Sequence, residues 1–256
     1  MQMIQEFWWI LKYSIRQSLS PKRLYKNTLG QLCAWKRFWA SYKNYQSLQS
    51  NDSNRLLDTL YPCLGEDTKQ TVIEPTYFYQ DAWAFERILK SKPNCHIDVG
   101  SHHKFVALLS KAIPVTMVDI RPLSLPLDTL AFIEGSILCL PYENSTVESL
   151  SSLCVIEHIG LGRYGDPLDI SGTEKAADEL KRVIKPGGDL YISVPLDDVN
   201  KTYFNAHRAF TEKYILEFFS PFIIVDKKYI YGNSFQNSLQ SGFGTGCYHF
   251  KKPLDN

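Results

Sequence analysis

Apolar and polar positions along residues 94–252 separate short buried strands from amphipathic helices. Apolar runs of strand length alternate with stretches in which apolar residues recur at helical spacing. The predicted strands cover residues 95–99, 114–120, 132–137, 149–156 and 189–195, and the predicted helices cover 105–112 and 173–185. Because strands that alternate with helices form parallel sheets, the pattern predicts an α/β fold with a doubly wound, mostly parallel sheet.

The pattern changes after residue 195, where the regular alternation ends. Before that point, Thr173 is placed to cap the helix predicted over 173–185, and Pro186-Gly187-Gly188 is typical of the end of a helix. The last predicted elements are a helix over 210–219 and strands over 222–232 and 246–252. No crossover helix separates these two strands, so they predict an antiparallel hairpin at one edge of a seven-stranded sheet.

Residues 1–75 form a predicted helical extension, and residues 76–256 form the main domain. In residues 1–50, aromatic residues are interleaved with basic ones, two helices are predicted to break near Ser20-Pro21, and a linker follows at 47–55. Residues 1–50 contain eight Lys or Arg and one acidic residue, a formal charge of +7, which leaves −6 for the remainder. The extension is interpreted either as an arm that binds a membrane surface or a partner, or as a helical cap on the main domain.

The overall composition, with 44% hydrophobic residues and a net charge of +1, is that of an ordinary globular protein. The six cysteines include no C-x-x-C pair, which predicts reduced, mostly buried thiols in a cytosol-like compartment. The apolar run at residues 7–11 is too short to span a bilayer. A cytoplasmic location is therefore expected.

The candidate ligand-binding and catalytic residues lie at the carboxyl ends of the predicted parallel strands. Asp98-Val99-Gly100 ends the first strand, Asp119 the second and Gly135-Ser136 the third, and Glu157-His158 follows the fourth. Open parallel sheets bind ligands beyond these ends. An acidic residue after the second strand is placed to accept hydrogen bonds from ribose hydroxyls, and Gly100 lets the backbone approach a ligand closely.

Five segments, in order, resemble the class I S-adenosylmethionine (SAM) dependent methyltransferases. They are HIDVGS (96–101), VDIRP (118–122), IEGSILCLPYENSTVESLSSLCVIEHIG (133–160), ELKRVIKPGGDLYISVP (179–195) and AHRAFTEKYILEFF (206–219). The resemblance spans residues 94–252 and implies a Rossmann-like methyltransferase fold with SAM as cofactor. Residues 157–188 are similar to a subgroup of uncharacterised methyltransferase-like proteins, some of them linked to glycan assembly.

The resemblance implies a cofactor-binding role for eight positions. They are Asp98, Gly100 and Ser101 in the methionine-side loop, Asp119 at the ribose, Ile120 on the adenine, Ser136 and Ile137 at the adenine edge, and Val155 as a backbone contact. This chain departs from the family at His102 and Lys104, which replace loop glycines, and at Ser136, which replaces a common aspartate. Side chains in the loop either narrow the pocket or contact the methionine carboxylate.

The candidate catalytic residues are Glu157, His158 and His207. Methyl transfer to a hydroxyl needs alignment and a base, and the ordinary histidine pKa of ~6.5 suits His158 for the base. Glu157 is placed to orient His158 or to bind an acceptor hydroxyl, and His207 is interpreted as a substrate-pocket or packing residue. A metal-assisted RNA ribose methyltransferase family has a similar Glu-His-His set, but Cys154 replaces its first glutamate, so no metal ligands are assigned.

The loop GLGRYGDPLD, at residues 160–169, has two open interpretations. It is either an acceptor-binding lid, in which Arg163 holds an anionic group and Tyr164 stacks on a sugar, or an ordered surface loop. His96 and His249 lie within apolar strands and are interpreted as core histidines.

Three functions are compatible with these patterns. The first is a SAM-dependent O-methyltransferase for a sugar or glycan-type hydroxyl, acting on a small-molecule or glycan substrate, with a membrane surface as a further partner through residues 1–50. The second is a non-catalytic scaffold or binding protein of the same fold in glycan assembly. The third is an RNA ribose methyltransferase, and the charge of −6 outside residues 1–50 argues against nucleic acid as a partner.

Overall fold

The computed structural model describes residues 21–48, 60–64, 66 and 68–254, with side chains from residue 29 onward. These residues fall into two units that divide between Val72 and Ile73, and each unit is described by itself. The helix predicted before Ser20 and residues 49–55 of the predicted linker lie outside the described residues. Within the described ranges, no helix is long and apolar enough to cross a membrane.

The first unit contains helix α1, Pro21–Leu48. Four aromatic residues, Trp35, Phe38, Trp39 and Tyr42, follow the i, i+3, i+4, i+7 spacing that places side chains on one helix face. Their neighbouring rings have centroids 5.3 to 6.4 Å apart. Trp35 and Trp39 are 39% and 45% exposed. The helix contains six Lys or Arg and no acidic residue, so a partly exposed aromatic face occurs on a strongly basic helix.

The second unit is built on an eight-stranded sheet. Its strands are β1 (His96–Val99), β2 (Val115–Asp119), β3 (Leu130–Glu134), β4 (Val147–Leu153), β5 (Ile184–Leu196), β8 (Ile223–Tyr231), β9 (Ser234–Gln236) and β10 (Gly244–Lys251). Two further strands, β6 (Lys201–Tyr203) and β7 (His207–Ala209), form a separate antiparallel hairpin. The predicted total of seven strands omits β9, which is only three residues long and pairs with the end of β8.

The strand order in the sheet is β3-β2-β1-β4-β5-β10-β8-β9. The first five of these are parallel to one another, and β10 runs antiparallel to both β5 and β8. The mostly parallel sheet and the antiparallel hairpin at one edge are therefore confirmed. The chain moves outward from β1 to β3 and then returns to the other side of β1 to form β4. This reversal is a topological switch point, where open α/β sheets bind ligands.

Four helices cover the two faces of the sheet. They are α2 (Pro75–Ser91), α3 (His103–Leu109), α4 (Gly172–Val183) and α5 (Glu212–Phe218). Helices α2 and α3 contribute Trp83, Ile88 and Phe105 to the core on one face, and α4 and α5 contribute residues such as Leu180 and Ile215 to the core on the other. The sheet is thus doubly wound, as predicted.

Several predicted boundaries need correction. Helix α4 ends at Val183, and β5 begins directly at Ile184 and runs through Pro186-Gly187-Gly188. The predicted cap, Thr173, lies inside the helix, and Ser171 is the N-cap residue. The Thr173 hydroxyl instead donates to the Ile156 carbonyl at 2.8 Å, because the helix packs closely against the segment after β4.

All six cysteines lie in the described part of the chain, and none forms a disulfide. The prediction that most of them are buried is wrong. Cys33, Cys63, Cys95 and Cys139 are exposed, and only Cys247 is fully buried. Cys247 is buried because it lies on central strand β10, whereas Cys95 and Cys139 lie in connections outside the strands.

Candidate active site

A cavity of about 450 Å³ lies at the carboxyl ends of β1, β2 and β4, beside the switch point. Its volume falls within the range of roughly 300–1,000 Å³ that is typical of small-molecule sites. A second cavity, of about 380 Å³, adjoins it. The residues that line both are Gly100, Asp119, Arg121, Cys154, His158 and Tyr164. The two cavities therefore form one continuous site around these side chains.

Gly100 shapes the centre of this site. It follows β1 with φ of +71°, and a Cβ atom added here would lie 3.1 Å from Val155 Cγ1 and 3.9 Å from Asp119 Oδ2. Any other residue here would adopt a strained backbone conformation, and its side chain would crowd Val155. The glycine brings the backbone, the Asp119 carboxylate and the Val155 side chain together at one end of the cavity.

The Asp119 carboxylate lies at the end of β2 and is only 13% exposed. Its Oδ1 atom accepts a hydrogen bond from the Arg121 backbone N–H at 2.8 Å, and the Arg121 Nε atom lies 3.7 Å from the same oxygen. These contacts fix the orientation of the carboxylate. Because it lines both cavities, it can accept hydrogen bonds from a ligand.

Asp98, in contrast, is fully buried and lines neither cavity. Its Oδ1 accepts from the Ser101 N–H at 3.0 Å, and its Oδ2 accepts from the Ser151 hydroxyl at 2.5 Å. Ser151 in turn contacts His96 Nε2 at 2.8 Å. Since Ser151 donates to Asp98, it accepts from His96, which assigns the proton of this core histidine to Nε2. Burial raises the pKa of Asp98 to about 6. Asp98 therefore holds the loop that carries Gly100 from behind.

The loop after Gly100, with its two histidines, borders the second cavity. Ser101 lines the second cavity, and its Oγ accepts from the Leu153 N–H at 3.0 Å. His102 is the N-cap of α3, its Nδ1 accepting from the Lys104 N–H at 3.3 Å. The His102 ring lies 5.0 Å from the Tyr77 ring. His102 and His103 thus form part of the cavity wall together with Tyr77.

The other predicted cofactor-binding residues line the first cavity. They are Ile120, Ser136, Ile137 and Val155. The Ser136 hydroxyl accepts from the Leu138 N–H at 3.2 Å and so holds its own turn. Ile120 is 41% exposed, whereas Ile137 is buried. Seven of the eight predicted cofactor positions therefore surround the two cavities, and Asp98 supports them from beneath.

His158 lines both cavities and is held by its Nδ1 atom. The Ala206 carbonyl oxygen lies 2.7 Å from His158 Nδ1 and also accepts from Arg163 Nη1 at 2.9 Å. A carbonyl can only accept, so we assign the proton to Nδ1, which leaves Nε2 as an acceptor. Burial lowers the pKa of His158 to about 4, so the ring is neutral at pH 7.

Glu157 lies directly behind this histidine and lines neither cavity. Its Oε1 atom is 3.7 Å from His158 Nε2, and its Oε2 atom has no hydrogen-bond partner among the described residues. The side chain is 1% exposed, and burial raises its pKa to about 8. At neutral pH the carboxyl is therefore protonated while the adjacent imidazole is not.

His207 reaches the same region from the β6–β7 hairpin. Its ring centroid lies 6.4 Å from that of His158, and its Nε2 atom is buried without a partner in the described part of the chain. Burial and the charge of Arg163 lower its pKa. The three candidate catalytic residues thus come together, but His158 alone among them lines the cavities. In the described residues, no group of three or more His, Cys, Asp or Glu side chains is arranged to hold a metal ion.

The loop 160–169 is ordered and also borders the site. The Asp166 carboxylate accepts from the N–H groups of Gly160, Gly162 and Tyr164. Arg208 on β7 donates to the carbonyls of Ile159 and Asp169 at 2.6 and 3.0 Å. Tyr164 and its following residues then line the first cavity. The loop is thus ordered, as in the surface-loop interpretation, and it also lines the cavity, as an acceptor-binding lid would.

Sequence reasoning missed three residues of the site. Tyr77 and Gln80 lie on α2, before the first predicted strand and so away from the strand ends where candidate residues were identified. Gln80 is fully buried, and its Oε1 accepts from Ser193 Oγ at 2.7 Å and from Cys154 Sγ at 3.1 Å. Arg121 stands within the VDIRP segment, directly after the ribose-binding candidate, so its proximity to the site was available from the sequence.

A larger groove of about 680 Å³ lies beyond the end of β5. None of the predicted cofactor residues lines it. Its carboxylates are already engaged: Asp197 pairs with Lys201 at 2.8 Å, Asp198 accepts from Ser241 and Gly242, and Glu212 pairs with Lys227. The smaller cavity, at the switch point, is therefore the stronger candidate for a cofactor.

Comparison with known proteins supports the fold. A family model described as "Caenorhabditis protein of unknown function, DUF268" matches residues 140–240, and no curated protein matches the chain. The solved structure of the [4+2]-cyclase SpnF aligns with a TM-score of 0.52 at 14% identity, covering 68% of this chain and 81% of that one.

Two methyltransferase structures align to a similar extent. The Burkholderia thailandensis 1,6-didemethyltoxoflavin-N1-methyltransferase, solved with bound S-adenosylhomocysteine, has a TM-score of 0.50 at 16% identity, covering 68% of this chain and 79% of that one. A putative sarcosine dimethylglycine methyltransferase from Galdieria sulphuraria has a TM-score of 0.52 at 13% identity, covering 69% and 86%. This chain thus has the Rossmann-like fold of the class I methyltransferases. Because the fold also occurs in a cyclase, the reaction must be argued from the site.

Proposed function

We propose that this protein is a SAM-dependent methyltransferase that transfers a methyl group to a sugar or glycan-type hydroxyl. The observation that carries the proposal is the cavity at the switch point of a methyltransferase fold, with Asp119 and Val155 meeting at Gly100. The Burkholderia relative, which was solved with S-adenosylhomocysteine, supports the same class of cofactor.

The residues of the cavity fit this cofactor. Asp119 offers carboxylate oxygens to ribose hydroxyls, and Ile120 and Ile137 offer apolar surface to the adenine. The open backbone at Gly100 and the polar wall at Ser101 and His102 suit the methionine part. When bound, SAM supplies an electrophilic methyl group on its sulfonium.

The chain's own contribution is to align the acceptor and to receive its proton. The Nε2 atom of His158 is free to accept a hydrogen bond from an acceptor hydroxyl, because Nδ1 is committed to Ala206 O. With a pKa of about 4, His158 is a weak base. Glu157, with a pKa of about 8, is protonated at neutral pH and lines neither cavity, so it supports the histidine from behind. His158 Nε2 is therefore the atom that receives the hydroxyl proton as the oxygen takes the methyl group.

The glycan-type acceptor is supported by the resemblance of residues 157–188 to methyltransferase-like proteins of glycan assembly. A direct test incubates the purified chain with methyl-labelled SAM and separate pools of cellular carbohydrate and RNA. We expect label in carbohydrate as a base-stable methyl ether, and at least a ten-fold loss in the His158→Gln variant. Label in RNA, or carbohydrate label equal to that of an Asp119→Ala variant, would contradict the proposal; the latter outcome favours a non-catalytic binding protein.

A membrane surface is a further proposed partner, through residues 1–50. Helix α1 combines six basic residues with an aromatic face, and such helices bind interfaces that contain anionic lipid. We expect the full chain to float with vesicles containing phosphatidylglycerol, less so at high salt. The double variant Trp35→Ala, Trp39→Ala tests the aromatic contribution and Lys36→Glu, Lys43→Glu the charge. Flotation that neither double variant reduces would refute this role.

A further inference from the structure

Three aromatic rings form a continuous surface beside the candidate active site. The Tyr203 and His207 rings, directly opposite each other on the β6–β7 hairpin, have centroids 5.1 Å apart. Phe243 lies 5.7 Å from His207 and 6.3 Å from Tyr203. Tyr203 is 41% exposed and Phe243 is 53% exposed. We call Tyr203, His207 and Phe243 the aromatic platform.

The platform continues into the catalytic part of the site. The His207 ring lies 6.4 Å from the ring of His158, which lines both cavities. The hydroxyl of Tyr203 donates to Asp197 Oδ2 at 3.2 Å, which fixes one edge of the platform. A ligand that rests on the platform would therefore extend toward the His158 ring.

The Arg163 guanidinium stands beside the platform, and that of Arg121 lies near Arg163. Arg163 donates to the carbonyl of Ala206, which belongs to the turn between Tyr203 and His207. The Arg163 and Arg121 guanidinium carbons lie 5.1 and 4.5 Å from the centre of the Tyr164 ring. They are thus within about 10 Å of each other, both stabilised by the same aromatic ring.

Nearby negative charge does not neutralise both arginines. Asp119 faces Arg121 at 3.7 Å. The Asp166 carboxylate stays charged but binds three backbone N–H groups of the loop, and Asp197 is paired with Lys201. Among the described residues, Arg163 forms no ion pair with a carboxylate and donates to the Ala206 carbonyl instead. Glu157 is protonated at neutral pH because burial raises its pKa to about 8. The Arg163 guanidinium beside the platform is therefore available to bind an anionic group.

We propose that the aromatic platform and Arg163 form the acceptor subsite, and that the acceptor is a sugar carrying a phosphate. This inference deepens the proposed function and rests on it. Aromatic faces carry partial negative charge and pack well against the C–H groups of a sugar ring, and guanidinium groups bind phosphate in bidentate geometry. Because two arginines already pack against the Tyr164 ring, we assign sugar stacking to the platform and not to Tyr164.

The test measures binding to the full chain saturated with S-adenosylhomocysteine. The probes are the 1-phosphates of glucose, galactose, mannose and N-acetylglucosamine, each compared with its uncharged methyl glycoside and with inorganic phosphate. We expect at least one sugar phosphate to bind at least ten-fold more tightly than both its methyl glycoside and inorganic phosphate. Equal affinity for the charged and uncharged sugar, or no binding by any probe, would overturn the proposal.

Variants separate the two parts of the subsite. Arg163→Ala should remove the preference for phosphate, and Arg163→Lys should restore part of it. Phe243→Ala should weaken the binding of both the sugar phosphates and the methyl glycosides. Lys111→Ala, which removes an exposed charge at the opposite end of the sheet, should change neither. An unchanged phosphate preference in Arg163→Ala overturns the proposal. Failure to bind S-adenosylhomocysteine in the first place would instead reject the proposed function.

Discussion

The Nε2 atom of His158 lies 3.7 Å from Oε1 of the buried Glu157 carboxyl. Burial lowers the pKa of the imidazole to about 4 and raises that of the carboxyl to about 8. Between these values the pair holds its proton on Glu157, and His158 presents an unprotonated nitrogen to the cavity. The protonation states of Glu157 and His158 are therefore set mainly by burial, and the two groups do not form an ion pair.

The first prediction concerns the protonation of His158. We expect the neutral ring with its proton on Nδ1 to persist from pH 8 down to pH 5, since Ala206 O holds that proton. Imidazole nitrogen NMR shifts measure this, with a His158→Gln variant assigning the signals. A titration midpoint between pH 6 and 7, or a proton on Nε2, would show that this geometry is wrong.

The second prediction concerns the stability of a Glu157→Gln variant. The pKa of Glu157 is 4.5 in its ordinary state and about 8 when folded. Between these values the folded protein retains a proton that the unfolded chain releases, so this residue lowers stability as pH rises. We expect the variant's free energy of unfolding, relative to wild type, to increase by up to about 1.4 kcal/mol per pH unit from pH 5 to 8.

Denaturant unfolding at several pH values measures this difference. Glu143→Gln, the same substitution at an exposed position, is the matched control. A pH-independent difference for Glu157→Gln would mean that the carboxyl is ionised in the folded protein.

The third prediction separates backbone strain from crowding at Gly100. Gly100→Ala introduces a Cβ at φ of +71° and 3.1 Å from Val155, whereas Gly232→Ala meets the same kind of strain, at φ of +55°, in open space. We expect each variant to lose about 1–2 kcal/mol of stability from the backbone term. Only Gly100→Ala should also weaken binding of S-adenosylhomocysteine, by at least ten-fold. Equal affinity in the two variants would place the ligand elsewhere.

The fourth prediction concerns Arg208, which joins β7 to the base of the loop 160–169. Arg208→Ala leaves the carbonyls of Ile159 and Asp169 without their charged donor. We expect a loss of about 2–4 kcal/mol in stability and faster hydrogen exchange at the amides of Gly160 and Gly162. Lys175→Ala removes only an exposed ion pair with Asp169 and should cost clearly less stability than Arg208→Ala. Unchanged exchange in Arg208→Ala would contradict the clamping role.

Much of the site was predictable because its residues follow strands. Gly100, Asp119 and Ser136 come at or just beyond the ends of parallel strands, and the rule that these ends meet at one edge of the sheet places them together. The strand pattern thus predicts that these residues lie together, whereas their cofactor-binding roles rest on the family resemblance and stay predictions. Asp98 is an exception: it is buried and accepts from Ser151 on a neighbouring strand, so its place beneath the loop could not be predicted.

Features that depend on tertiary contact were not predictable. The β6–β7 hairpin consists largely of exposed residues, so no apolar alternation marks it. Arg208 donates to backbone carbonyls, and every residue has such a carbonyl, so the side-chain pattern does not indicate which ones it binds. The short strand β9 likewise forms only because β8 presents an edge for it to pair with.

The central claim is that SAM binds at the switch point against Asp119, and calorimetry with S-adenosylhomocysteine tests it most directly. We predict binding to the wild-type chain, at least a ten-fold loss in Asp119→Ala, and no change in Asp128→Ala, which removes an exposed carboxylate before β3. Absence of binding at millimolar ligand, or equal affinity in the wild type and Asp119→Ala, would contradict the account.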